Sequence, residues 1–433
     1  MTRLFFIAII VKKAGRQGIC LKERKSKYRK ILLTLLAVSI VMNIAGCFPR
    51  FCDWYGDHVY GILADAVSIL TARIPVAVGE ILMYLGILLV LLAVIFLILL
   101  PFLRKKPKYR KFCGGYFKAL LITLVCVVFV YTFNWVIPFR GTVLGQGNPD
   151  LRTEYDYQQI AAVFEHAVSG MNAAAKEIPV ADDGSVQFPT AEELHPKIAA
   201  SMQALALHYP RLSGYYPPVK TALCSDILNR MNIGGYNYPY TMEPTHNKYV
   251  SPTFLPVLDA HELSHHKGYY KENEANLLSQ IALAEADDPF LRFSGFYDMY
   301  RYLDPDYTEA REQLADQLTA QGLLPTLDGM DIHETPKEIL IARIQEIMEA
   351  EAELLGEWPQ LSERAGRILD AANQIEREVY EADAHPIDDM PAVQNVIEDT
   401  ADFGWETQAD ILQENSYDGV TLLLLQYYEG KLY

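Results

Sequence analysis

Cysteine is scarce where it would matter most for stability. Of the six in the chain, Cys20, Cys47, Cys52, Cys113 and Cys126 precede residue 140, which leaves Cys224 alone in residues 140–433. That long segment has no internal disulfide available and must rest on a buried core, which its length can supply; Cys224 is expected to be a small buried apolar residue in it. No Cys-x-x-Cys pair occurs, which excludes a cysteine-based zinc ribbon or a dithiol redox centre. No glycine-rich loop precedes a helix to cradle phosphate. Positive charge is also short in residues 140–433, where 19 Lys and Arg face 49 Asp and Glu, the wrong sign for a nucleic-acid partner. No internal repeat is present, and residues 381–391 read as an acidic loop without chemistry of its own.

Residues 1–139 are the reverse, with 19 Lys and Arg against 5 Asp and Glu. Three apolar runs, 31–48, 81–103 and 117–139, approach the roughly 20 residues that cross a bilayer as helix. Residues 4–11 are too short for a fourth and read as a loose tail, so 1–30 is expected to be a basic cytoplasmic tail, 31–139 a membrane domain and 140–433 a separate domain. Lys and Arg cluster at 22–30 and 104–111, and such clusters stay on the cytoplasmic side. Residues 49–80 and everything after Arg140 are then outside the cytoplasmic membrane, with the lipid bilayer as an obligatory partner. Ile44-Ala45-Gly46-Cys47 resembles a lipoprotein cleavage box, but further apolar runs follow it, which favours an ordinary membrane helix ending in small residues.

Beyond the membrane portion, apolar residues recur at helical spacing over 156–168 and 190–208, the second opened by Thr190 with Glu193 three residues on, a capping pattern. Thr335-Pro336-Lys337-Glu338 predicts another capped start, with Pro336 as first helical residue and Ile339, Ile341, Ile344, Ile347 and Met348 as the buried stripe. Between Pro218 and Ser251 alternation replaces that period, so a small sheet is expected there. The fold class is thus mainly α, three transmembrane helices followed by an α+β domain.

His261-Glu262-Leu263-Ser264-His265 carries the chemistry. On a helix with Pro256 in its first turn and a left-handed Gly268 at its end, His261 and His265 share one face at i and i+4. Two imidazoles leave a Zn2+ ion two positions short, and a third protein ligand plus water completes an open tetrahedron. Glu272, the first carboxylate after the turn and the start of a second helix at 272–286, is read as that ligand, with Glu274 and Glu285 as alternatives. Glu262 is the general base. His266 points elsewhere and is read as a surface or supporting residue, and Asn276 is placed to orient a ligand histidine. Tyr236, Tyr238, Tyr240, Tyr269, Tyr270 and Tyr297 crowd the region as candidate oxyanion donors, and residues 236–240 could form an edge for an extended peptide.

The pattern resembles the zincins unevenly. His261 to Gly268 matches the start of the metzincin signature, but Lys271 stands at that signature's last ligand, and a protonated Lys has no lone pair to offer. Glu272-x-x-Ala275-Asn276 is closer to the gluzincin E-x-x-A-D/N element, whose Glu is the third ligand. Asp259 and Lys267 sit where generic zincin helices carry uncharged residues. Together with the three spans, the stretch from Gly235-Tyr236 to Asn247, Phe293-Ser294-Gly295-Phe296, Ser416-Tyr417-Asp418-Gly419-Val420 and the apolar residues 422–425, these motifs resemble a family of bacterial membrane proteins known only as domain of unknown function 3810. The resemblance implies a membrane-anchored, zincin-like metallopeptidase acting on a protein or peptide substrate. A zinc amidase working on envelope material and a non-catalytic zinc-binding sensor are the competing expectations. A fourth protein ligand would mark the sensor.

Overall fold

A computed structural model describes residues 28–144, 152–327, 330–331, 335–385, 388, 390, 393–397, 400–401 and 419–433. The tail at 4–11 and the stretch 416–418 lie outside the described residues. Two compact units emerge: Met1–Ile62, Val78–Gly141 and Pro239–Thr241 form one, and Leu63–Ala77, Thr142–Tyr238 and Met242–Tyr433 the other.

In the first unit, α1 (Tyr28–Ala45), α4 (Val78–Leu103) and the continuous helical stretch Pro107–Phe139 are long and apolar enough to cross a membrane. Only 6%, 6% and 17% of their most apolar windows are buried, so most of their apolar side chains point outward, as those of a helix in lipid would. The helix α1 ends three residues before the expected boundary because Pro49, at the first turn of α2 (Pro49–Tyr55), starts a new helix. The third apolar stretch begins early for the same reason. Pro107 opens α5 (Pro107–Tyr131), the basic residues Lys108, Arg110 and Lys111 occupy its first turns, and a π-turn at Thr132–Val136 leads into α6 (Ile137–Phe139). Asn43 Nδ2 donates to Thr132 Oγ1 at 3.0 Å, pairing polar groups that hydrocarbon would penalise. Residues 49–80, read only as a connection, are largely helical, with α3 (Gly61–Thr71) following α2 through a π-turn.

The second unit is mainly helical around one small sheet. Helix α7 (Tyr157–Glu177) starts at a complete capping box, Asp156 with Gln159, and α8 (Ala191–Ala204) at another, Thr190 with Glu193. Strands β1 (Lys220–Thr221), β2 (Gly235–Tyr238) and β3 (Glu243–His246) lie in the order β1-β3-β2, with β1 parallel and β2 antiparallel to β3; α9 (Ser225–Arg230) intervenes between β1 and β2. Against this sheet packs α10 (Leu255–His266), followed by α11 (Glu272–Ala284), α12 (Pro289–Ala320), α13 (Lys337–Leu355), α14 (Glu363–Glu381) and α15 (Gly419–Tyr428). The core joins Phe164 and Met171 of α7, Leu263 of α10, Ile281 of α11, Phe293 of α12 and Leu424 of α15, all fully buried.

Three expectations change. Pro336 is the extended residue before α13 rather than its first helical one, and no side chain caps that end, which puts Thr335 one residue too far back. Ile339, Ile341, Ile344 and Met348 are exposed and Ile347 is half-buried, because a helical stripe fixes which residues share a face and not what covers it. The described residues of the acidic segment 381–391 tie it back by ion pairs, Asp383 with Lys248, His385 Nδ1 with Asp226 at 2.7 Å, and Asp388 with Arg230. Cys224 is partly exposed, at the head of α9.

Candidate metal centre

Pro256 sits in the first turn of α10, and Gly268, at φ +90°, ends the turn that follows. One helical turn apart, the rings of His261 and His265 lie with centroids 4.6 Å apart, edge to face. The reversal at Gly268 brings Tyr269 back so that its carbonyl accepts a 2.7 Å hydrogen bond from His265 Nδ1. That bond keeps the proton on Nδ1 and turns Nε2 toward Glu272. Lys271 is extended, α11 then starts at Glu272, and the carboxylate faces both rings: Oε2 is 3.2 Å from His261 Nε2 and Oε1 is 3.7 Å from His265 Nε2.

These distances fit zinc. Two ligand atoms about 2.1 Å from one ion at a tetrahedral angle are roughly 3.4 Å apart, and the two observed separations bracket that value. All three donors lie within 4.8 Å of one another, and among the described residues no fourth His, Cys or carboxylate joins them. Their side chains keep 13%, 11% and 21% exposure, so the cluster is reachable from one side.

The field around the cluster suits a cation. Burial alone would raise the Glu272 carboxyl and lower the His265 imidazole. Their mutual attraction outweighs both, holding Glu272 far below the carboxylate range and pushing His265 up to about 9. Glu262 behaves differently. Burial pushes it up to about 7 against the pull of His265 and His261, and its Oε2 has no hydrogen-bond partner among the described residues. Above it lies β2, an outer strand of the sheet, where a Cβ added at Gly235 would come within 2.8 Å of Glu262 Oε1. Glycine at 235 therefore gives the Glu262 carboxylate its room.

The alternative ligands lie elsewhere. Glu274 accepts the Leu144 N–H at 2.7 Å, and Glu285 accepts from the Tyr427 hydroxyl at 2.5 Å. Asn276 does not orient a histidine, because its amide donates to the Tyr302 hydroxyl at 2.9 Å. His266 is wholly buried, not a surface residue. Of the tyrosines, Tyr270 stacks parallel to His265 at 6.0 Å, Tyr269 serves through its carbonyl, and Tyr240 belongs to the first unit, stacked on Tyr131.

Sequence reasoning missed the partners of the helix. Asp259 accepts from His246 Nδ1 at 2.7 Å while Thr221 Oγ1 meets His246 Nε2 at 3.1 Å, which ties α10 to β3 and β1. Asp298, buried on α12 within electrostatic reach of His261, is held by Gln280 at 2.7 Å and by Arg301. The signal for the first was present in the sequence. A charged residue on an otherwise buried helix needs a counter-group, and Asp259 and Lys267 were both out of place on a generic zincin helix.

In comparison with known proteins, the family described as "Protein of unknown function (DUF3810)" aligns with residues 55–323. That range contains the sheet and α10 to α12 and stops short of the apolar stretch at 422–425. No curated protein and no solved structure matches.

Proposed function

The chain belongs to that family, to which no activity is attached, and from the cluster within the matched residues we propose that it is a membrane-anchored zinc metallopeptidase. The observation that carries this reading is the convergence of His261, His265 and Glu272, with the buried Glu262 carboxylate beside them and one side of the cluster open. Zinc bound there supplies a lowered pKa for water and polarisation of a scissile carbonyl. Glu262 takes the proton from the attacking water and delivers it to the leaving amine, so no nucleophilic side chain is needed. The Tyr269 carbonyl holds the His265 ring in its ligating orientation throughout. The absence of a fourth donor among the described residues favours this reading over a closed, structural zinc.

The basic clusters at 22–30 and 104–111 support a site on the outer face of the cytoplasmic membrane. The acidic balance of residues 140–433 agrees, since anionic headgroups would repel it. The test uses the full chain in detergent. Metal analysis should find one zinc per chain in both the native protein and Glu262→Gln. Turnover of a peptide library should fall by about a hundred- to ten-thousandfold in the variant. Equal turnover in both proteins removes Glu262 from the mechanism, and a native chain without zinc removes the reading altogether.

A further inference from the structure

Just past the metal helix lies a buried charge that the proposed reaction does not use. Lys267 follows His265 and His266 directly, and its side chain is only 1% exposed. Its ammonium rests over the Tyr216 ring at 4.5 Å and donates to Tyr215 O at 2.6 Å and to Asp65 Oδ1 at 3.2 Å. Asp65 comes from a distant part of the chain, α3, between the first two apolar helices. Its other oxygen accepts the Tyr215 N–H at 3.1 Å, and Oδ1 is 3.7 Å from His266 Nε2. Close approach is built in at Gly214, where φ is +97° and a Cβ would lie 2.7 Å from Asp65 Oδ2. A second buried lysine grips the same segment: Lys220 Nζ donates to Thr71 O and Val76 O, each at 3.0 Å, and pairs with Glu243. Leu63–Ala77 accordingly groups with the unit that holds the metal cluster.

A lysine ammonium out of water is tolerated only beside an opposite charge and hydrogen-bond acceptors, and removing one partner of such a pair is far more costly than removing both. Here that pair sits at the C-cap of the helix whose last two turns carry the imidazoles. We propose that Asp65 is a positioning residue for the metal centre: by neutralising Lys267 it fixes the end of α10 and so the aim of His265 and the turn through Gly268 that delivers Glu272. The inference rests on the metal reading above. It adds that the segment between the first two apolar helices is part of the site's framework.

The experiment measures zinc affinity of the full chain in detergent by competition with a chromophoric chelator, and ligand geometry by the d–d absorption of the cobalt-substituted protein. Asp65→Asn keeps the size of the side chain and strands the Lys267 charge. It should weaken zinc by about ten- to a hundredfold and shift the cobalt bands, with helical content unchanged. Asp65→Asn combined with Lys267→Met removes both charges and should return affinity to within about threefold of native, which a general packing defect at position 65 would not do. Should the single variant fail to fold, the double variant decides alone. Native affinity in the single variant, or a double variant that does not recover, overturns the proposal. A native chain that binds no zinc is a different failure, read before any variant is made, and it falls on the metal reading instead.

Discussion

Glu274 and Glu272 are two residues apart on the same helix, yet they meet opposite environments. Glu272 faces two imidazoles, whereas Glu274 faces away, where burial pushes its carboxyl from 4.5 up to about 7 against the Leu144 N–H and the pull of Arg211 and Lys271. The consequence for stability has a definite sign. Below pH 4.5 the carboxyl is neutral folded or unfolded and costs nothing. Between 4.5 and 7 only the unfolded chain ionises, so stability falls as pH rises, and above 7 the loss levels at ~3 kcal/mol. Glu274→Gln keeps an acceptor for Leu144 and cannot ionise. The metal-free variant should therefore match the native chain in thermal midpoint at pH 4 and exceed it at pH 8, and an equal gap at both pH values would count against a neutral Glu274. Sequence pattern alone placed Glu274 about 200° around the helix from Glu272, enough to rank the two. The Leu144 backbone that receives Glu274 lies far away in the chain, and no local spacing announces it. Asn276 shows the same limit, since its partner Tyr302 comes from another helix.

Helices in the second unit approach closely where glycine permits. A Cβ added to Gly295 of α12 would come within 2.6 Å of Ala284 N and 2.9 Å of Gln280 O on α11, both backbone atoms that cannot rotate away. Gly170 of α7 leaves similar room for the Phe296 ring, at 2.5 Å. Gly295→Ala must push α11 off α12 and disturb the Gln280 to Asp298 hydrogen bond. It should cost about 1–3 kcal/mol by chemical denaturation, and a loss under about 0.5 kcal/mol would show that the contact is soft. At this scale much was legible in the sequence: the helical spacing over 156–168, the capping box at Thr190, the glycine stop at 268, the start of α11 at Glu272 and the small sheet between residues 218 and 251 all follow from local rules. What failed was α13, whose apolar stripe says how its residues are arranged around an axis but nothing about which neighbour they meet. Position 336 failed for a related reason: proline suits the first turn of a helix and the extended residue ahead of it equally well.

Over the whole chain, charge and apolar length make one further expectation. If the basic clusters face the cytoplasm, a reporter enzyme that matures only in an oxidising compartment should be active when fused after Leu144 and inactive when fused within residues 104–111. The opposite pattern would invert the topology and place the metal cluster inside the cell. The three helices long and apolar enough to cross a membrane were readable because a bilayer calls for a length and a composition that almost nothing else requires. The membership of Leu63–Ala77 was not, because that membership rests on two buried lysines that meet the segment only in three dimensions. The domain is thus written in the gene as two separated passages with a pair of long apolar helices between them. During synthesis the shorter passage emerges first and has to wait, unfinished, until the ribosome has delivered Tyr215, Lys220 and Lys267. A water-soluble fragment begun after Arg140 never receives it, and would be born with the Lys267 ammonium stripped of its counter-charge and Lys220 left to Glu243 without two of its acceptors.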